Sequence, residues 1–548
     1  MYLGHYQDLE SQYKALMDNG ITFAKKFNLT PGVALSASQI AQLTSDIVWF
    51  EEKTVQLPSG KSVRVVAPRV YAMVQAGDVN GQGSLISADV IDLRTNRLAN
   101  SGTIAGRHLA LLKTDTVLNQ GLMSGSRVGI QTTGKVDNLG GRIEAEQALL
   151  MDVGGDLNHQ STMSTTEVTG AGFQRGETTL SRRGLFYVKG RDGTLHLVAN
   201  NLNIEGADIV NEGKGETLVQ AKNNLNLTAL SVGFDEKLGT GNHYRNEKVE
   251  KAVVSRVTGK GDVTFTSKNL YSEGAVLESE AKLTALAEND LVLNGAKESR
   301  DVEEFHKTKS GSLAKVTKTS FDKKQSETQR GSQVSGEAII LAAGNDVKGK
   351  GLQAIAENDL LIQAGGNVDI GADTNYFRDI HKETKKTSGV FSGGGIGITL
   401  GSKSEKHHLE SEGWTQSDAR STLGSMNGNI QVQAGKHATL EGADFITPVA
   451  NRIDIEGAGV KVEAGKDLIN TYERHEYQQS GLTLAVSTPV MDMAQAAYSS
   501  IKRSEQVTNP KLKALYAMKA AEEVAMAAQN VGKVAETLDA SQAGEMQG

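Results

Sequence analysis

An all-β solenoid, a right-handed parallel β-helix with inserted β-hairpins, is the fold this sequence predicts, and three observations predict it. Asn80, Asn100, Asn119, Asn138 and Asn158 recur at intervals of 19 or 20 residues. Each of the later ones sits in a similar phrase, as in Leu98-Ala99-Asn100-Ser101-Gly102, Val117-Leu118-Asn119-Gln120-Gly121 and Val136-Asp137-Asn138-Leu139-Gly140. Short alternating apolar stretches follow, at 108–112, 127–130 and 147–151. A repeat of about 20 residues with glycine turns and short strands is the signature of a solenoid, whose coils rise by about 4.8 Å each. In such a coil the five asparagines form a structural ladder, each side-chain amide bonding to the coils above and below. The alternative is that they are ordinary turn residues of separate hairpins, which have no reason to keep a constant period.

Composition agrees. The 548 residues include 60 Gly, 6 Pro and no Cys. A chain of that length in globular form divides into several domains, whereas a solenoid grows in one dimension. Without cysteine there are no disulfides, no thiol catalysis and no thiolate zinc site. The formal net charge of -7 leaves no basic footprint for nucleic acid. No apolar run is long enough to span a bilayer, and the first residues do not read as a signal peptide, so an export signal is expected to be absent from this chain.

Four regions follow in order. Residues 1–70 form a helical and hairpin lead-in. Leu9, Tyr13, Leu16, Met17, Ile21, Ala24 and Phe27 make a helical stripe, and Ser36 or Ser38 caps a second short helix. A hairpin over 53–66 turns at Pro58-Ser59-Gly60. Residues 71–230 are regular coils. Residues 231–488 keep coil-like phrases such as Ala287-Glu288-Asn289-Asp290-Leu291 and Ala356-Glu357-Asn358-Asp359-Leu360. Long polar stretches at 231–257, 297–333, 373–424 and 471–488 interrupt them, read as hairpins leaving the solenoid, with disordered loops as the competing reading. Residues 489–548 read as an alanine-rich helical tail opened by Asn509-Pro510, a cap or a linker to an effector beyond this chain.

The phrases Leu35-Ser36-Ala37-Ser38-Gln39-Ile40, 43–49 and Val66-Ala67-Pro68-Arg69-Val70-Tyr71 resemble a stretch found in filamentous haemagglutinin-type exoproteins. The coils at 80–158 resemble their first class of haemagglutinin repeat and the phrases after 250 the second. That resemblance implies a secreted or cell-surface protein that crosses the outer membrane through a partner transporter. It also implies a non-enzymatic stalk that aids delivery of a C-terminal toxin, not present in this chain, into contacted bacteria by way of the target-cell outer membrane or a receptor. An adhesin binding surface glycans or proteins is the alternative.

Chemistry-bearing residues are sparse. A polysaccharide-cleaving groove needs converging carboxylates, and the equivalently placed Asp290 and Asp359 read as turn residues instead. No catalytic, cofactor-binding or metal residues are expected. His243, His306, His381, His407, His408 and His475 fall in the inserts beside Lys, Glu and aromatics. A proton-sensitive or metal-binding role is weighed against one solvated position repeated in each hairpin, and the second is favoured. The segment 387–402 carries no charge and is glycine-rich. Its Gly389, Val390, Phe391, Ile396, Ile398 and Leu400 are the candidate membrane-contact hairpin, set against an extra sheet closing the solenoid flank. Gly393-Gly394-Gly395-Ile396-Gly397 lacks the helix and acid of a dinucleotide site, and Asn28-Leu29-Thr30 and Asn226-Leu227-Thr228 are glycosylation sequons by spelling alone.

Overall fold

The computed structural model describes residues 9–27, 29–40, 43, 45–56, 62–71, 84–312, 314–392, 398–448 and 450–479. They fall into two compact units divided after Ser84. The tail expected at 489–548 lies outside the described residues.

The first unit contains helix Leu9–Phe27, a short helix Ala37–Ile40 and an antiparallel pair, Ile47–Gln56 with Ser62–Tyr71. Of the two candidate caps, Ser36 starts the short helix. Its Oγ accepts from the Gln39 amide, while the Gln39 Oε1 accepts from the Ser36 amide at 2.9 Å, the reciprocal arrangement of a capping box. The hairpin is longer than expected and its turn lies outside the described residues. Ile47, Trp49 and Tyr71 pack with Phe23, Leu35 and Leu43. Tyr71 therefore belongs to this lead-in rather than to the first coil.

The second unit is a parallel β-helix. One aliphatic ladder counts its coils: Leu98, Val117, Val136, Leu157, Leu202, Leu225, Leu270, Leu291, Val347, Val368, Ala438 and Val460 are register partners in that order. Twelve coils are thus present among the described residues. From the fifth onward each has three short strands, as in Leu185–Val188, Thr194–Ala199 and Leu202–Glu205. Alternation places every second side chain inside. Leu195, Leu197 and Ala199 are fully buried, with half-buried residues between them. Stacked like on like, these residues form one continuous apolar core from Ile91 to Leu440, the dominant stabilising contribution in such a fold.

The hairpins leave this rod at fixed heights. Nine strands, Thr162–Gly170, Phe173–Arg182, Leu230–Thr240, His243–Val253, Ala296–Ser310, Ala314–Arg330, Asn375–Ser392, Ile398–Thr415 and Leu468–Gln479, pair antiparallel in chain order into a single sheet. They follow the fourth, sixth, eighth, tenth and twelfth coils, so each coil from the fourth to the twelfth carries one strand of this flank sheet. Coil rise and strand spacing are both about 4.8 Å. Two coils therefore climb as far as one two-stranded hairpin is wide, and the sheet grows alongside the rod without a gap.

The corners obey the same alternation. From the third coil onward, coils that pass directly into the next end on Gly140, Gly206, Gly274, Gly351 and Gly442, all with φ between +55° and +66°. At Gly206 a Cβ would lie 2.9 Å from both Leu230 Cδ1 and the Val253 carbonyl at the root of the second hairpin, so this corner needs glycine for space as well as for backbone conformation. Where a hairpin intervenes, a buried serine occupies the root. Ser161 Oγ bonds the Gly206 carbonyl, Ser255 Oγ lies 2.9 and 2.8 Å from the carbonyls of Ile204 and Thr228, Ser332 Oγ bonds the Asn294 carbonyl, and Ser421 Oγ bonds that of Gly371. The carbonyls of Thr228, Asn294 and Gly371 also accept the backbone amides of Gly206, Gly274 and Gly351, so these serines add a second hydrogen bond at the corner from which the hairpin leaves.

One boundary is corrected by the structure. The first hairpin, Thr162–Arg182, lies within 71–230, the span expected to hold only regular coils. Its length is close to that of one coil, so it does not disturb the apparent period.

Candidate functional site

The predicted ladder is present in part and then changes residue. Asn80 lies outside the described residues. Asn100 Nδ2 donates to Asn119 Oδ1 at 2.8 Å, and Asn119 Nδ2 to Asn138 Oδ1 at 2.6 Å. The next rung is His159 and not Asn158, because the register pairs Asn138 with His159 and Asp137 with Asn158. Asn158 instead joins a half-buried outer row. It donates to Asp137 Oδ1, accepts from Asn203, and Asn203 accepts from Asn226.

His159 is fully buried and stacks on Phe186 with centroids 3.8 Å apart. Its Nε2 lies 2.9 Å from the Asp208 carbonyl, which only accepts, so Nε2 carries the proton and Nδ1 accepts from Asn138 Nδ2 at 2.9 Å. Burial pushes this imidazole down to about 4, fixing it neutral.

Of the segment 387–402, residues 387–392 and 398–402 are described, at the outer ends of the two strands of the fourth hairpin. Gly389 pairs with Gly401, Val390 with Leu400 and Ser392 with Ile398, and the strand is bonded on its other side as far as Gly389, opposite Ala314. Gly389 has φ +117°. Ile396 lies outside the described residues. The backbone of this segment thus extends the flank sheet.

Apart from residues such as Leu230, Ala252 and Ala296 at its roots, and Glu247 and Gly413 farther out, the flank sheet's described side chains are half-buried or exposed. Solvent reaches both faces, which explains the lysine, glutamate and threonine composition of the inserts. Ion pairs are frequent, across strands as in Arg245 with Glu304 and Arg378 with Glu410, and along one strand as in Arg245 with Glu247.

On this sheet the histidines converge. His243, His306, Ser320, Glu383, His407 and His475 are successive register partners across six strands, so they form one row on one face. His381 belongs to the neighbouring row of that face, 2.6 Å from Asp322. His408 lies on the opposite face. His407 and His475 stack nearly parallel with centroids 4.2 Å apart, and their Nε2 atoms lie 3.1 and 2.8 Å from the same oxygen, Glu473 Oε1. The hydrogen bonds from His475 and His407 hold the Glu473 carboxyl below its ordinary range. In the sequence Glu473 is one of the glutamates beside the insert histidines, and only the register assembles it with both imidazoles.

The carboxylates weighed for catalysis are engaged at corners. Asp290 Oδ1 accepts from the Asp346 amide, Asp346 Oδ1 from the Asn367 amide, and Asp359 Oδ1 from the Asn429 amide. Each ties one coil to the next.

Comparison with known proteins gives a consistent result. The hemagglutinin repeat family matches residues 313–479, a span that runs from the second strand of the third hairpin through the fourth hairpin to the ninth flank strand. The chain is 26% identical to the tRNA nuclease CdiA of Yersinia mollaretii, over 94% of this chain and 22% of that protein. It is 29% identical to the 16S rRNA endonuclease CdiA of Enterobacter cloacae, over 93% and 17%. It is 37% identical to the tRNA nuclease CdiA of Escherichia coli O6:K15:H31, over 40% and 7%. The chain thus spans about a fifth of the length of the curated relatives it matches most fully. No solved structure matches it. The coils, the inserted hairpins and these relatives together support a repeat region like those of filamentous haemagglutinin and contact-dependent inhibition exoproteins.

Proposed function

We propose that this chain is a non-enzymatic stalk segment of an exported exoprotein and aids delivery of a C-terminal toxin into contacted bacteria. The observation that carries the reading is the locking of the flank sheet to the rod, one strand per coil over nine coils. A solenoid with a dry core and such a sheet is a stiff spacer that presents the ends of its hairpins along one side. The corner carboxylates are occupied by backbone amides, which supports a structural role over a catalytic one. The parent protein would cross the outer membrane through its transporter partner and stand at the cell surface. The fourth hairpin, with its uncharged segment 387–402, is the part assigned to contact with the target envelope.

Deleting residues 387–402 from the full-length exoprotein tests this. Delivery should fail while surface display and cell–cell adhesion persist. Unchanged delivery removes the hairpin from the mechanism. Flotation of the chain with outer-membrane liposomes, with and without reconstituted membrane proteins, gives the biochemical counterpart. Protection from protease around 389–401 is the expected result.

An adhesin reading rests on one specific feature. Trp414 and Tyr472 are 39% and 48% exposed on the flank sheet, and Tyr376 lies beside Trp414 at 5.4 Å, the kind of aromatic surface on which sugar rings stack. Loss of cell adhesion in Trp414→Ala with delivery of toxin intact would favour it.

A further inference from the structure

We propose that His407, Glu473 and His475 form a site for a divalent transition-metal ion that clips the ninth strand of the flank sheet to the eighth. The three donor atoms lie within 4.8 Å of one another, and the two imidazole Nε2 atoms are 3.1 and 2.8 Å from Glu473 Oε1. In a tetrahedral zinc site with metal–ligand distances of about 2.1 Å, neighbouring donors stand about 3.4 Å apart. The observed nitrogen–oxygen separations of 3.1 and 2.8 Å are shorter than that by about 0.3 and 0.6 Å, so the donors need only spread slightly to admit the ion. The stacked rings need only tilt toward each other about their side-chain torsions, because His407 and His475 already face each other across the register. Two imidazoles and one carboxylate are a donor set suited to zinc, nickel or copper and poor for magnesium or calcium. The fourth position opens to solvent, since His475 and Glu473 are 68% and 53% exposed.

The surroundings are compatible with a cation. Glu383 is the register partner of His407 on the strand before it, and His381 lies beside His407 with its Nδ1 held by Asp322. Glu405 and Tyr477 lie opposite one another in the adjacent row of that face, where Lys403 and Lys385 are both paired to Glu405. The consequence is mechanical. Among the described residues Leu468–Gln479 is bonded to the flank sheet through Ile398–Thr415 alone, and a metal bridging His407 to Glu473 and His475 reinforces that single pairing.

The full chain titrated calorimetrically with zinc near neutral pH should bind one ion per chain. His407→Ala, His475→Ala and the isosteric Glu473→Gln should each weaken binding by about tenfold or more. A double variant, His243→Ala with His306→Ala, removes the other histidine pair of the row, which lacks a bridging carboxylate, and should bind as the parent does. Hydrogen exchange of the amides in 468–479 should slow on adding zinc in the parent and in that double variant, and not in Glu473→Gln. No binding, equal binding in the triad variants, loss in the His243/His306 variant, or exchange in 468–479 that ignores zinc would each overturn the proposal.

Discussion

His159 accepts a hydrogen bond at 2.9 Å from the side-chain amide of Asn138, so an imidazole takes the place of the next asparagine in the buried amide stack. It is the point at which the solenoid changes from uninterrupted coils to coils that carry hairpins.

The first prediction follows from that ring. Burial holds His159 at about 4 in the folded chain, against 6.5 ordinarily. Above 6.5 both states are neutral there and stability is unaffected. As pH falls from 6.5 toward 4 the unfolded chain takes up a proton that the folded one refuses, so stability declines, and the loss levels off below about 4 at roughly 3 kcal/mol. His159→Asn should keep the bond from Asn138 and flatten this decline. It should also lower stability at neutral pH by about 2 kcal/mol through the lost stacking on Phe186. Guanidinium midpoints measured between pH 7 and pH 4 check both halves.

The two asparagine rows should respond differently. Asn119 is fully buried, accepting from Asn100 and donating to Asn138. Asn119→Ala strands both neighbours in the core and should cost about 2–4 kcal/mol. Asn158→Ala removes a rung from the half-buried outer row, where water replaces the lost partners, and should cost under about 1 kcal/mol. Equal shifts in unfolding midpoint would contradict the inward and outward assignment.

Two glycines with nearly the same backbone separate conformational cost from steric cost. Gly206 and Gly241 have φ +55° and +62°. A Cβ at Gly241 meets nothing within 4 Å, whereas at Gly206 it meets the root of the second hairpin at 2.9 Å. Gly241→Ala should cost about 1 kcal/mol, the ordinary penalty of the left-handed region. Gly206→Ala should cost at least about 1 kcal/mol more, read as a difference in melting temperature.

Hairpin roots offer a test of the buried serines. The Ser255 hydroxyl shares its proton between two carbonyls and is fully buried. Ser255→Ala should destabilise by about 1–3 kcal/mol and should speed hydrogen exchange in 230–253 ahead of exchange in the coils. Exchange that rises evenly along the rod would deny these roots a local role.

The coil was legible because its physics is local. A 19- or 20-residue period with alternating aliphatics states the length of one turn and which side chains point inward, and residues such as Leu118 and Asn119 sit accordingly. Asn158 keeps the spacing of the asparagines, but the coil register follows the spacing of the core aliphatics. Aligning Val136 with Leu157 puts His159, not Asn158, opposite Asn138. The first hairpin is hidden in the sequence for a related reason. An insert about one coil long preserves the period, and only the 45-residue separation of Asn158 from its partner Asn203 shows that a coil-length of chain has left the rod.

By itself, then, the sequence determined the solenoid, its inward alternation and the existence of the later inserts, because each depends on contacts repeated within one turn of chain. The tertiary structure decided how the inserts meet. His407 and His475 are 68 positions apart, and what sets them face to face is the height at which their strands leave the tenth, eleventh and twelfth coils. That height is fixed by the common rise of coil and strand, which no short stretch of sequence encodes.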